Sequence, residues 1–259
     1  MTSLAKLLRR VNVLGLVTMV AFVGIWEVVV RTRVIDFQYL PPPSAITQGA
    51  RDLLASGDLV RNLLHTLRVT LLGWAGASAV GIGLGLLLGL STTAWRWSMA
   101  SIEVMRAIPP VSLVPVAVLV FGFSVKMELI IIVFASAWPV LINTIDGVRG
   151  VPEGLLDVAR MMKLSRPTAI RKIVLPAALP TIFVGVRLAL SLSLVLAVVA
   201  EMIGNPSGLG NALVRAQQAL QPEQMFAYVL TIGLLGVALN ATLRHASSWV
   251  VRGPGSASL

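Results

Sequence analysis

The stretch Gly154-Leu-Leu-Asp157-Val158-Ala159-Arg160-Met161-Met162-Lys163-Leu164-Ser165-Arg166-Pro167, followed by Ile170-Arg-Lys-Ile173-Val-Leu175-Pro176, belongs to the only sizeable polar segment in the second half of the chain, Asp146 to Leu175. Its local signals spell two short helices. The first, about Pro152 to Met162, has its proline early, where a missing N–H is tolerated, and Glu153 and Asp157 toward its positive end. The second opens after Ser165 as N-cap, with Pro167 in its first turn and Arg171 and Lys172 near its negative end. Two short helices at a sharp angle between long apolar stretches form a protruding knob. Taken by itself, a charged run of this kind also fits a plain solvated loop.

The surroundings decide for the membrane. Of 259 residues, 56% are hydrophobic and 12% charged, about half the charge of a soluble domain. The length leaves room for roughly five or six spans of about 20 residues. A net charge of +10 next to long apolar runs is what positively charged inner loops supply, and it argues against nucleic acid as a partner. The chain has no cysteine, so disulfides and thiolate metal sites are excluded. Its two histidines, His65 and His245, argue against an all-histidine site and read as interfacial.

Six spans follow along the chain: Val11 to about Val30, Leu67 to Leu90, Met99 to Phe121, Glu128 to Ile145, Ala177 to Ile203, and Phe226 to Val251. Pro41-Pro42-Pro43 interrupts the connector after the first, with Ser44 placed to cap the helix that follows. Gly81, Gly85 and Gly89 recur every four residues on one face of the second, a device for close helix contact in lipid rather than a phosphate loop. Trp95-Arg96-Trp97 reads as an interfacial turn. Pro109, Pro110 and Pro115 leave carbonyls in the third span that protein or a wet cavity must satisfy. The fourth is expected to bend at Pro139, and residues 204–222 read as a loop. We divide the chain into 1–66 (first span plus connector), 67–251 (a five-span core) and 252–259 (a disordered tail).

With the N-terminus inside, 14 of the 21 basic residues fall on the inner side. Both termini and the loop at 146–176 are therefore expected to be cytoplasmic. The fold class is an all-α integral membrane protein.

The quoted segment resembles the coupling motif of ABC-type importer permeases: Glu-Ala-Ala, three residues, Gly, nine residues, Ile-x-Leu-Pro. Asp157, Val158 and Ala159 fall on the first three positions, Lys163 on the glycine, and Ile173, Leu175 and Pro176 on the closing ones. Asp replaces Glu, Val replaces Ala and Lys replaces Gly. A lysine there either adopts the left-handed conformation at some cost or shifts the turn. Leu40-Pro-Pro-Pro43, Arg106-Ala-Ile-Pro109-Pro110, Gly185-Val-Arg187, Ala200-Glu201-Met-Ile-Gly204 and Ser207-Gly-Leu-Gly210 are similar to the nitrate/sulfonate/taurine-type branch, over nearly the whole chain.

The resemblance implies the type I importer fold with six transmembrane helices in the bacterial inner membrane, surrounded by lipid. It implies a homodimer with a second permease copy, two ATPase subunits, and a periplasmic or lipid-anchored binding protein that delivers a small anion. No Gly-x4-Gly-Lys-Ser/Thr loop is present, so ATP and magnesium belong to the partner, and the chain is expected to have no cofactor and no catalytic role of its own. Coupling is expected of Asp157, Val158, Ala159, Arg160, Met161, Met162, Lys163 and Leu164. The translocation pathway is expected to involve Arg187, Ser191 and Glu201. Arg187 lies about 15 Å into its span at about 1.5 Å per residue, where a charge needs a wet cavity or a partner such as Glu103. Glu201 lines an outer gate or bonds a helix end. Glu103 and Arg106, three apart, are expected to pair, and Glu27 is assigned no function. The alternative is an ion-gradient-driven secondary transporter, against which stands the lack of an internal repeat.

Overall fold

The computed structural model describes residues 13–32, 37 and 39–250, so the basic N-terminus and the 252–259 tail lie outside it. All regular structure among the described residues is helical. Helix α1 is Val13–Arg31, α2 Pro43–Ala55, α3 Asp58–Gly89 and α4 Thr92–Ala107. After a 3-10 turn at Pro110–Leu113 come α5 (Val114–Phe121), α6 (Val125–Arg149) and α7 (Glu153–Met161). Helix α8 is Arg166–Gly204, α9 Leu209–Gln218 and α10 Pro222–Val250. Four of these, α3, α6, α8 and α10, are long and apolar enough to cross a membrane, and α4 with α5 makes a fifth if a bent pair counts as one span.

Two compact units can be drawn. In the first, residues up to 60 with 212–230, the Glu27 carboxylate accepts the backbone N–H of Ser44 at 2.9 Å and its hydroxyl at 2.8 Å. The helix starts at Pro43 with Pro42 at the cap position, so Ser44 is not the cap. Glu27 does that work from another helix, and Arg31 pairs with it. Gly49 lies against the Glu223 backbone, where a Cβ would sit at 3.0 Å.

The second unit, 61–211 with 231 onward, is organised by α6 and α8. Gly185 meets the Pro139 carbonyl and Asn143, Gly147 meets Ala178 and Thr181, and Ser193 donates to Ser136 at 3.0 Å. The glycine face of α3 packs on α6. A Cβ at Gly81, Gly85 or Gly89 would approach Val140, Thr144 or Val148 to 2.6, 2.5 and 2.9 Å. Packing, not phosphate binding, is what those glycines serve.

Three further expectations are corrected. The third span is not one helix: α4 and α5 diverge by 77°. Ile108, placed before a proline, is forced to ψ 121°, which ends the helix. Trp95-Arg96-Trp97 is helical rather than a turn, because Ser91 caps α4 by accepting the Ala94 N–H, and the Arg149 guanidinium lies 4.0 Å over the Trp95 ring. The helix after Ser165 is not separate. It continues through a π turn at Ile170–Val174 into the long span. Helix α6 runs on through Pro139.

Candidate functional site

The segment quoted at the outset forms α7 and its closing turn. Leu164 N–H bonds the Ala159 carbonyl at 3.1 Å and Lys163 N–H the Arg160 carbonyl at 2.9 Å. That pair of bonds is a Schellman closure, which places Lys163 where glycine is usual. Lys163 takes φ +50°, so the lysine adopts the left-handed conformation and the turn does not shift. Ser165 is at the next cap position, and its hydroxyl pairs with Thr168 at 2.7 Å. On α7 the small residue faces inward: Ala159 is 6% exposed. Leu156 packs on Val148, Val151, Val174 and Ala178. Outward stand Met161, 84% exposed, with Met162 and Val158. Asp157 and Arg160 pair at 2.7 Å on the surface, Lys163 is exposed and Leu164 half-buried.

Arg187 and Ser191 share one face of α8 with Val184, Leu188 and Val195, all exposed in the single chain. The Ser191 hydroxyl donates to Asn240 Oδ1 of α10 at 3.2 Å, and Asn240 bonds the Gly236 carbonyl at 3.0 Å. Among the described residues Arg187 has no ion pair, and the Glu103–Arg106 pair is not formed.

Glu201 is elsewhere, with 0% exposure. It accepts the Thr66 hydroxyl at 2.8 Å and the Gly210 N–H at 2.9 Å. Leu209 N–H bonds Thr66, and Gly208 N–H bonds Asn62. Gly208 has φ +97°, and a Cβ there would run into the Glu201 carboxylate. The Glu201…Gly208-Leu209-Gly210 pattern is thus a carboxylate with the loop wrapped around it. Beside it sits a second buried acid, Glu128, also 0% exposed. It accepts from Asn205 Nδ2 and faces His65 Nε2 at 3.4 Å. Sequence reading took Glu128 only as the start of a span and His65 as unremarkable. The available signal was an acid within an otherwise apolar stretch.

Residues 81–253 match the family described as binding-protein-dependent transport system inner membrane component. The chain belongs to that family. This permease is 31% identical over 230 residues to a Bacillus subtilis chain named aliphatic sulfonates transport permease protein SsuC, covering 89% of this chain and 83% of that one. It is 30% identical over 186 residues to the nitrate import permease protein NrtB of Leptolyngbya laminosa, covering 72% and 67%. Among solved structures, the methionine ABC transporter MetNI in inward-facing conformations shares the fold, with TM-score 0.67, 19% identity, and 75% of this chain and 96% of that one covered. The permease is accordingly a membrane subunit of an ABC importer, and the secondary-transporter alternative is not favoured.

Proposed function

We propose that this permease conducts a small anion of the sulfonate, nitrate or bicarbonate kind, with Arg187 supplying positive potential along the path and Ser191 beside it. Relatives named for sulfonates, nitrate and bicarbonate support the solute class. The observation that carries the reading is Arg187 itself. It is exposed in mid-span without an ion pair among the described residues, and an intramembrane charge persists only facing protein or water.

Two copies would enclose the path, each counting α1 as a sixth span in addition to the five of the core. The basic bias supports placing the termini and α7 inside. There α7 would dock on an ATPase subunit through Met161, Met162 and Val158, with ATP and magnesium held by that subunit and an external binding protein delivering the solute. Rocking of the two permeases would expose the path to alternate sides.

The test is anion uptake into proteoliposomes alongside melting temperature. Arg187→Gln is expected to cut uptake at least tenfold with assembly and melting unchanged, and Arg187→Lys to retain part of the rate. Early melting with poor assembly of Arg187→Gln, or normal uptake by it, would remove Arg187 from the path.

A further inference from the structure

We propose that His65, Glu128 and Glu201 form a binding site for one divalent transition-metal cation, with zinc the ion this donor set suits. The site joins α3, α6 and α8 at one end of the second unit, and no spacing in the sequence announces it.

The spacing suits two ligands of one metal as well as it suits an ion pair. His65 Nε2 and Glu128 Oε2 are both shut from solvent and neither has a hydrogen-bond partner, yet they face each other at 3.4 Å. Two donors on a tetrahedral zinc, each about 2.0–2.1 Å from the metal, stand roughly 3.3 Å apart. A Glu201 oxygen completes a set of three donor atoms lying within 4.8 Å of one another.

Charge argues the same way. Two buried carboxylates that stay ionised need positive charge nearby. Among the described residues, the ion-pair contact seen to these acids is that of Glu128 with His65, which carries charge only when protonated, and a nitrogen that binds metal is not. One imidazole nitrogen with carboxylate oxygens fits zinc better than magnesium or calcium, which take six or more oxygens.

The supporting shell is already built. Asn205 holds the other oxygen of Glu128, while Thr66 and Gly210 orient Glu201; bonds of this kind fix ligands for a metal. Glu201 Oε1 accepts from Thr66 alone, so a lone pair on that oxygen is left for a metal. With its side chain 21% exposed, His65 offers the entry. The site does not depend on which solute the permease carries.

The experiment uses the full-length chain in detergent, stripped with chelator, desalted and titrated with zinc. About one zinc per chain is expected to remain after desalting, with melting raised by several degrees. Glu128→Gln is expected to lose both. No retained zinc and no melting shift would overturn the site, as would an unchanged response in Glu128→Gln. Because a variant can fail by misfolding, a second probe adds cobalt to the parent chain, where a tetrahedral set of nitrogen and oxygen donors gives visible ligand-field bands. Absence of those bands in the folded parent chain, or their persistence in a folded His65→Ala chain, would equally sink the proposal.

Discussion

Glu201 and Thr66 are joined across 135 residues of sequence by a 2.8 Å hydrogen bond, and the chain from Gly208 to Gly210 is folded around that contact. The carboxylate leaves no room for a side chain at Gly208. Gly208→Ala is therefore expected to lower stability by about 2–4 kcal/mol, combining a left-handed alanine with displacement of a bonded carboxylate. Glu201→Ala strands the Gly210 and Thr66 donors and is expected to cost a similar amount. Detergent melting curves check both. A wild-type melting temperature in Gly208→Ala would show that the loop does not close on Glu201.

Lys163 carries the cost of a left-handed residue where glycine carries none. Lys163→Gly is expected to raise stability by roughly 1 kcal/mol without moving the turn. Thermal unfolding read against the parent chain measures it, and a destabilised variant would mean that the lysine side chain contributes something its exposed position does not show.

The two sides of α7 are expected to respond differently. Ala159→Arg places a charge where 6% of the residue is accessible, so loss of the folded chain is expected. Met161→Asp alters a residue that is 84% exposed, so the chain should fold normally while co-purification with the ATPase subunit falls several-fold. Normal co-purification of Met161→Asp would move the docking surface off this helix.

Orientation is checked with a single cysteine at Ser165, an exposed position. An impermeant maleimide is expected to label it in inside-out vesicles and not in intact cells. Labelling from outside would invert the topology.

Most of the spans were legible because burial in lipid imposes long apolar runs that composition alone reveals. The α3 glycine face was legible too, since a four-residue recurrence fixes a face before any partner is known. The left-handed Lys163 could be anticipated from where a glycine is otherwise expected. What stayed hidden depended on partners distant in sequence. Nothing local to His65 announces Glu128, and nothing local to Glu27 announces that it caps a helix starting at Pro43. Helix α9 was lost in a segment judged by its glycines and prolines, although Leu209, Ala212, Leu213 and Ala216 repeat at helical spacing. The break at Pro109 was visible, but its 77° angle was not, because proline ends a helix without setting where the chain goes next.

The π turn within α8 leaves the helix unbroken from Arg166 to Gly204. At about 1.5 Å per residue this is a rod of nearly 60 Å, about twice the thickness of the hydrocarbon layer. A rod of that length acts as a lever. No loop separates its Arg166 end from Arg187 and Glu201, so a displacement at that end is passed along helix rather than absorbed in a loop. The π turn, where the helix carries one residue too many per bond, is the point at which such a lever can twist without snapping.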